Sequence, residues 1–138
     1  MIEFTIPGKP VGKMRPRFTK VGGFVKAYTA EGTVNFESMV KMLAAHEMGA
    51  RVPLTGPLVL SVVVYVAPPA SMSKKLRLEA LDYRIWPCKK PDLDNIVKSI
   101  MDGMNGVVYQ DDSQIIEIRS YKRYDLTDRT AVVVAVRE

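Results

Sequence analysis

A chain of 138 residues, 47% apolar and 25% charged, has the size and make-up of one globular domain and is too short for two well-packed cores. No apolar run approaches the roughly 20 residues that span a bilayer, and Glu3, Lys9 and Lys13 interrupt the stretch a signal peptide would need; membrane and exported classes drop out, and a cytoplasmic location is expected. One cysteine, Cys88, and one histidine, His46, exclude an intramolecular disulfide and a cysteine-built zinc centre and leave carboxylates and lysines to carry any chemistry, while the net charge of +5 suits a polyanionic partner.

In chain order, residues 1–7 predict a short strand, ended by the Gly8-Lys9-Pro10-Val11-Gly12 breakers. Residues 15–19 and 24–28 predict a hairpin, with Gly22 and Gly23 supplying the backbone freedom of its turn and Pro16 confining the first arm to an edge. From Phe4 through Ala30 there are six basic residues, Lys9, Lys13, Arg15, Arg17, Lys20 and Lys26, and no acidic one. A helix capped by Thr33 or Asn35 is expected to run to about Met48, with Phe36, Met39, Val40, Leu43 and Ala44 on its core face.

Residues 58–67 are valine-rich and apolar on both parities, the pattern of a strand in the middle of a sheet. Ser71 or Ser73 caps a short basic helix over 74–81, and an irregular cationic stretch follows to Pro91. The last third predicts a helix over 94–104, a turn at Asn105-Gly106, a polar knot at Asp111-Asp112, and strands over 114–124 and 130–137 that suit a hairpin across 125–128. This order fits a single α+β domain of two layers, helices packed on one mixed sheet.

The run Lys90-Pro91-Asp92-Leu93-Asp94-Asn95-Ile96-Val97-Lys98 holds the densest chemistry. Pro91 favours an extended approach, in which Asp92 and Asp94, two apart, share a face while Leu93 turns inward. On the helix that follows, Asp94, Lys98 and Asp102 stack at intervals of four. Taken singly, Asp94 reads equally well as a helix cap, and Asp111-Asp112 reads first as a pair of ordinary turn residues. Taken together, carboxylates this close repel unless a hard cation joins them, and without histidine or cysteine clusters the choice falls on Mg2+, with Mn2+ as a substitute. Such an ion beside a basic surface suits phosphodiester hydrolysis, and Lys98 is the candidate for offsetting charge on the phosphorus or holding the attacking water.

These residues, with Asp102 and Gly106-Val107-Val108-Tyr109-Gln110-Asp111-Asp112-Ser113-Gln114-Ile115, closely resemble the signature of the RusA family of Holliday-junction resolvases. The opening Ile6-Pro7-Gly8-Lys9-Pro10, with Lys13 and Arg15-Pro16-Arg17-Phe18-Thr19, is similar to the start of its phage-type members. The resemblance implies catalytic, metal-holding aspartates at Asp92, Asp94 and Asp112 and a catalytic lysine at Lys98. It further implies a magnesium-dependent homodimer that nicks four-way junctions symmetrically. Lys13, Arg15, Arg17, Lys74, Lys75 and Lys90 are the candidate phosphate contacts. Two other readings compete: a nuclease for other branched or flapped DNA, and a non-catalytic DNA-binding module.

Overall fold

The first strand, β1 (Ile2–Pro7), shows its alternation in burial, with Ile2, Phe4 and Ile6 in the core and Glu3 and Thr5 exposed. The computed structural model describes residues 1–12, 17–21, 24–28 and 31–138; the side chains of 17–21, 24–28 and 31–34 lie outside that description, and with them the candidate contacts Lys13, Arg15 and Arg17. The expected hairpin is an antiparallel ribbon of β2 (Arg17–Val21) and β3 (Phe24–Tyr28), with Val21 opposite Phe24.

Helix α1 (Glu31–Met48) begins earlier than expected, so Thr33 and Asn35 lie within it instead of capping it. Its buried residues Phe36, Val40, Ala44 and Met48 recur every four positions, a stripe narrower than predicted that leaves Met39 exposed. Strand β4 (Leu58–Val66) is followed by α2 (Lys74–Leu81), capped by Ser73, whose hydroxyl accepts from the Leu76 amide at 3.3 Å. Then come α3 (Leu93–Met104), a single 3-10 turn (Asp112–Gln114), β5 (Ile115–Tyr124) and β6 (Arg129–Val136).

The four-stranded sheet has the order β1-β6-β4-β5, mixed as expected, with β4 in its interior. The anticipated β5–β6 hairpin does not form, because β4 lies between the two strands, parallel to β5 and antiparallel to β6. The connection 125–128 instead crosses the end of β4: the Asp125 amide donates to the Val66 carbonyl at 3.0 Å, and the Ala67 amide donates to Asp128 Oδ1 at 2.9 Å. These bonds satisfy the backbone where β4 runs out, which gives the short connection a better use than a turn.

One face of the sheet, carrying Leu58, Leu60, Val62 and Val64 of β4 with Val132 and Val134 of β6, is sealed by α1 and α3 in one continuous apolar core. The two helices cross closely at Gly103, where an added Cβ would stand 2.8 Å from the Val40 Cβ and 2.9 Å from the Glu37 carbonyl oxygen. Among the described residues no helix is long and apolar enough to cross a membrane.

Candidate active site

Helix α3 has a strongly one-sided sequence: Ile96, Val97, Ile100 and Met104 are buried, while Asp94 and Lys98 face out. The helix starts one residue earlier than predicted. Leu93 opens it, half-buried against the core, and Asp92 takes the cap position in extended conformation (φ −67°, ψ 140°). The Asp92 backbone carbonyl accepts from the Ile96 amide at 3.1 Å, but its carboxylate makes no cap hydrogen bond. Asp92 and Asp94 are therefore not alternating residues of a strand; they flank the first turn, where the helix dipole favours negative charge. Among the described residues Asp94 Oδ1 accepts from the adjacent Asn95 amide, at 2.9 Å, and both aspartates are exposed.

The Asp111-Asp112 pair divides its labour. Asp111 caps the 3-10 turn, its carboxylate accepting from the Ser113 hydroxyl and, at 3.4 Å, from the Ser113 amide. Gln114 closes the reciprocal half of this capping box: its Oε1 accepts from the Asp111 amide at 3.3 Å, and its Nε2 donates to the Leu54 and Gly56 carbonyls at 3.0 and 3.1 Å. The Ser113 hydroxyl and amide hold the Asp111 carboxyl below the usual carboxylate range. A folded-state value that is lowered gives stability present above the unfolded carboxylate value and lost as pH falls through the folded one. Asp111→Ala is thus expected to melt below the wild type at neutral pH, with the gap closing in acid; a gap constant across a pH series of melting curves would show that the charge plays no part.

Asp112, released from capping, turns toward α3. Lys98 Nζ lies 3.7 Å from Asp112 Oδ2 and 3.3 Å from Asp102 Oδ1, one ammonium bridging the helix and the turn after it. Under this bridge Tyr109 is fully buried, its hydroxyl donating to the Met101 carbonyl at 2.7 Å. Burial, then the charges of Asp112, Asp102 and Asp111, pushes the Tyr109 phenol far above its usual range, so it stays protonated and keeps that bond. Tyr109 therefore anchors the segment that presents Asp112, a role the sequence reading missed. Asp102, noted for its spacing and as part of the family-like signature but given no role, proves to be a partner of Lys98.

The structure brings together Lys98, Asp102 and Asp112. Asp92 and Asp94 stand at the start of the same helix, and among the described residues no three acidic, histidine or cysteine side chains are gathered closely enough to share a cation. The donor chemistry nonetheless fits a hard divalent ion: carboxylate oxygens, with Asp92 exposed and its carboxylate unused by its own cap.

The surroundings are cationic. The loop after β1 lies against the start of α3, since a Cβ on Gly12 would stand 3.1 Å from the Asn95 Cβ and 3.2 Å from the Pro91 Cβ. On the other side Lys122 of β5 donates to the Lys89 carbonyl at 2.7 Å and the Pro91 carbonyl at 3.3 Å, fastening the segment that delivers Asp92. Lys90, Lys74 and Lys75 are exposed.

Carboxylates and a lysine on one helix and its following turn are groups suited to metal-assisted phosphodiester cleavage. The family model described as endodeoxyribonuclease RusA matches residues 7–136, and the chain belongs to that family of nucleases, which are metal-dependent as a group. It is 33% identical over 135 residues to the uncharacterized protein YqaN of Bacillus subtilis (strain 168), covering 96% of this chain and 94% of the other. It is also 29% identical over 133 residues to the crossover junction endodeoxyribonuclease rusA of Lactococcus phage r1t, again covering 96% and 94%.

Proposed function

We propose that this endodeoxyribonuclease resolves four-way DNA junctions in the cytoplasm, acting as a magnesium-dependent homodimer that places symmetric nicks in two related strands. The observation that carries this reading is the split of the Asp111-Asp112 pair: the first carboxylate is consumed by a capping box, and the second is directed at Lys98 on the helix that begins with Asp92 and Asp94. Likeness to a phage crossover junction endodeoxyribonuclease over nearly the whole chain supports the substrate. Two-fold symmetry suits a substrate whose related strands need two related sites.

In this reading Asp92, Asp94 and Asp112 would hold Mg2+, with Mn2+ as a substitute, their exposed side chains drawing together on the ion, which would supply Lewis-acid stabilisation of the phosphoryl oxygens. Lys98 offsets charge developing on the phosphorus from its position beside Asp112, and Asp102 holds its ammonium there. Lys13, Arg15, Arg17, Lys74, Lys75 and Lys90 provide phosphate contacts that orient the arms of the substrate.

The test is cleavage of a synthetic four-way junction, with forks, flaps and blunt duplex alongside, in magnesium and in EDTA. Paired nicks in the junction only with the metal are expected, and Asp92→Asn should lose them while still binding the junction in calcium. Efficient cutting of flaps with the junction left intact would transfer the reading to another branched substrate, and binding without cleavage of any of them would reduce the protein to a DNA-binding module.

A further inference from the structure

Tyr83, Trp86 and Tyr121 surround one guanidinium. Arg123 Cζ lies 4.1 Å from the Tyr83 ring centroid, 5.2 Å from that of Tyr121 and 5.8 Å from that of Trp86. The rings nevertheless remain 46%, 42% and 53% exposed for Tyr83, Tyr121 and Trp86. Single exposed aromatics are ordinary, but three gathered on one cation are not the usual surface of a small basic protein.

Two further observations set this cluster apart from incidental packing. Tyr83 follows α2 with φ +61°, a conformation that glycine adopts freely and an aromatic residue seldom does. The Tyr83 amide donates to the Ala80 carbonyl at 3.1 Å and the Arg84 amide to the Glu79 carbonyl at 3.0 Å, the pattern of a helix stop usually built on glycine. The chain accepts this strain at a position where the ring meets Arg123. In addition, one open cleft of about 680 Å³ runs along the free edge of β5 from Trp86 and Tyr121, past Lys89, Lys90 and Lys122, to Asp92. Two rings of the cluster, Trp86 and Tyr121, and the cap aspartate of α3 therefore border the same groove, with Tyr83 and Arg123 packed behind those rings, and the Lys122 bonds to the Lys89 and Pro91 carbonyls hold its lining in place.

We infer that this groove receives an unpaired nucleotide of the DNA strand being cut, with its base stacked on Trp86 and Tyr121 and its phosphates beside Lys89 and Lys90. The inference rests on the branched-DNA reading above and adds what that reading leaves open, namely that the site takes an unstacked base next to the cleaved bond. Base faces are hidden in a duplex and become available where strands part. Aromatic rings with neighbouring cations are the sequence-tolerant means of holding them. Arg123 is a positioning residue: stacked among the rings, it fixes their spacing.

Trp86 is the only tryptophan in the chain, so its fluorescence reports on the groove directly. The full-length protein, in calcium, is titrated with a short oligothymidylate strand, with a four-way junction and with blunt duplex. Quenching by the single strand and by the junction, at concentrations where the duplex has little effect, is the expected result. Trp86→Ala should weaken junction binding about tenfold, the scale of one lost base stack, and Trp86→Phe should restore most of it. Tyr83→Gly removes the ring and relieves its backbone, so affinity should fall while the melting temperature holds or rises; a purely structural tyrosine would lower both. Unchanged fluorescence on junction binding, equal quenching by duplex, or full affinity in Trp86→Ala would each overturn the inference while leaving junction cleavage standing. Quenching by the single strand without any binding of junctions would uphold the groove and remove the junction reading.

Discussion

Asp112→Asn is expected to lower junction cleavage by more than about a hundredfold, the scale on which loss of one electrostatic contact to the transition state is felt, while Asp111→Asn stays near the wild-type rate. The two residues are neighbours with the same side chain, so charge and location cannot separate them; only their engagements differ. Asp111 spends its carboxylate on Ser113 and asparagine is an equally good cap, whereas Asp112 faces Lys98. Asparagine keeps the shape of Asp112, so the fold should hold, and removal of a negative charge beside a polyanion should leave DNA binding intact or slightly tighter. Single-turnover cleavage and binding in calcium, measured on both variants, decide the matter. Equal losses in the two would mean that the turn as a unit, and not the Asp112 carboxylate, is what cleavage requires.

Gly103→Ala is the second variant with a large expected effect, and its sign opposes the usual rule. In an open helix position alanine gains about 1 kcal/mol over glycine. Here the new methyl meets Val40 Cβ and Cγ1, both at 2.8 Å, and the Glu37 carbonyl oxygen at 2.9 Å, and none of these is the free end of a flexible side chain. Helices α1 and α3 would have to part, and overpacking of this kind costs typically 1–3 kcal/mol or more. A net loss of about 2 kcal/mol is expected, which in a chain of this length lowers the melting temperature by roughly 4–8 °C. Because α3 carries Asp94, Lys98 and Asp102, activity should fall as well, through displacement of the helix. A melting temperature above wild type would mean that the crossing is slack.

Most of the frame is legible in local sequence patterns. The alternation of β1, the valine run of β4, the serine cap of α2 and the one-sided apolar face of α3 are local patterns, and each forms where expected, within a residue or two. What escaped was non-local or reciprocal. The strands expected over 114–124 and 130–137 looked like a hairpin because consecutive strands often pair, yet β4 is more apolar than either and takes the place between them. The capping box was written in Asp111-Asp112-Ser113-Gln114, an acidic residue followed three positions later by glutamine, and it was the signal that separates the two aspartates. The Lys98 link to Asp112 joins a helix to the turn beyond it, and the meeting of Tyr83, Trp86 and Tyr121 on Arg123 depends on how the connection after α2 folds against β5; spacing along the chain encodes neither.

The strand order carries a consequence for how the enzyme comes into being. Strand β6 follows the other described strands in sequence, yet it pairs with the earliest of them, β1, on one side and with β4 on the other. A nascent chain that has not yet yielded residues 129–136 has no ladder joining its N-terminal strand to the rest, and the surface on which α1 and α3 settle is missing its centre. The helix bearing Asp94 and Lys98 keeps its local tie to the turn before Asp112, through Tyr109 and Met101, but the sheet face on which both rest is incomplete. Partial translation products and molecules clipped before residue 129 should therefore fail to fold and leave DNA uncut, which circular dichroism and a nicking assay on such a truncation would check.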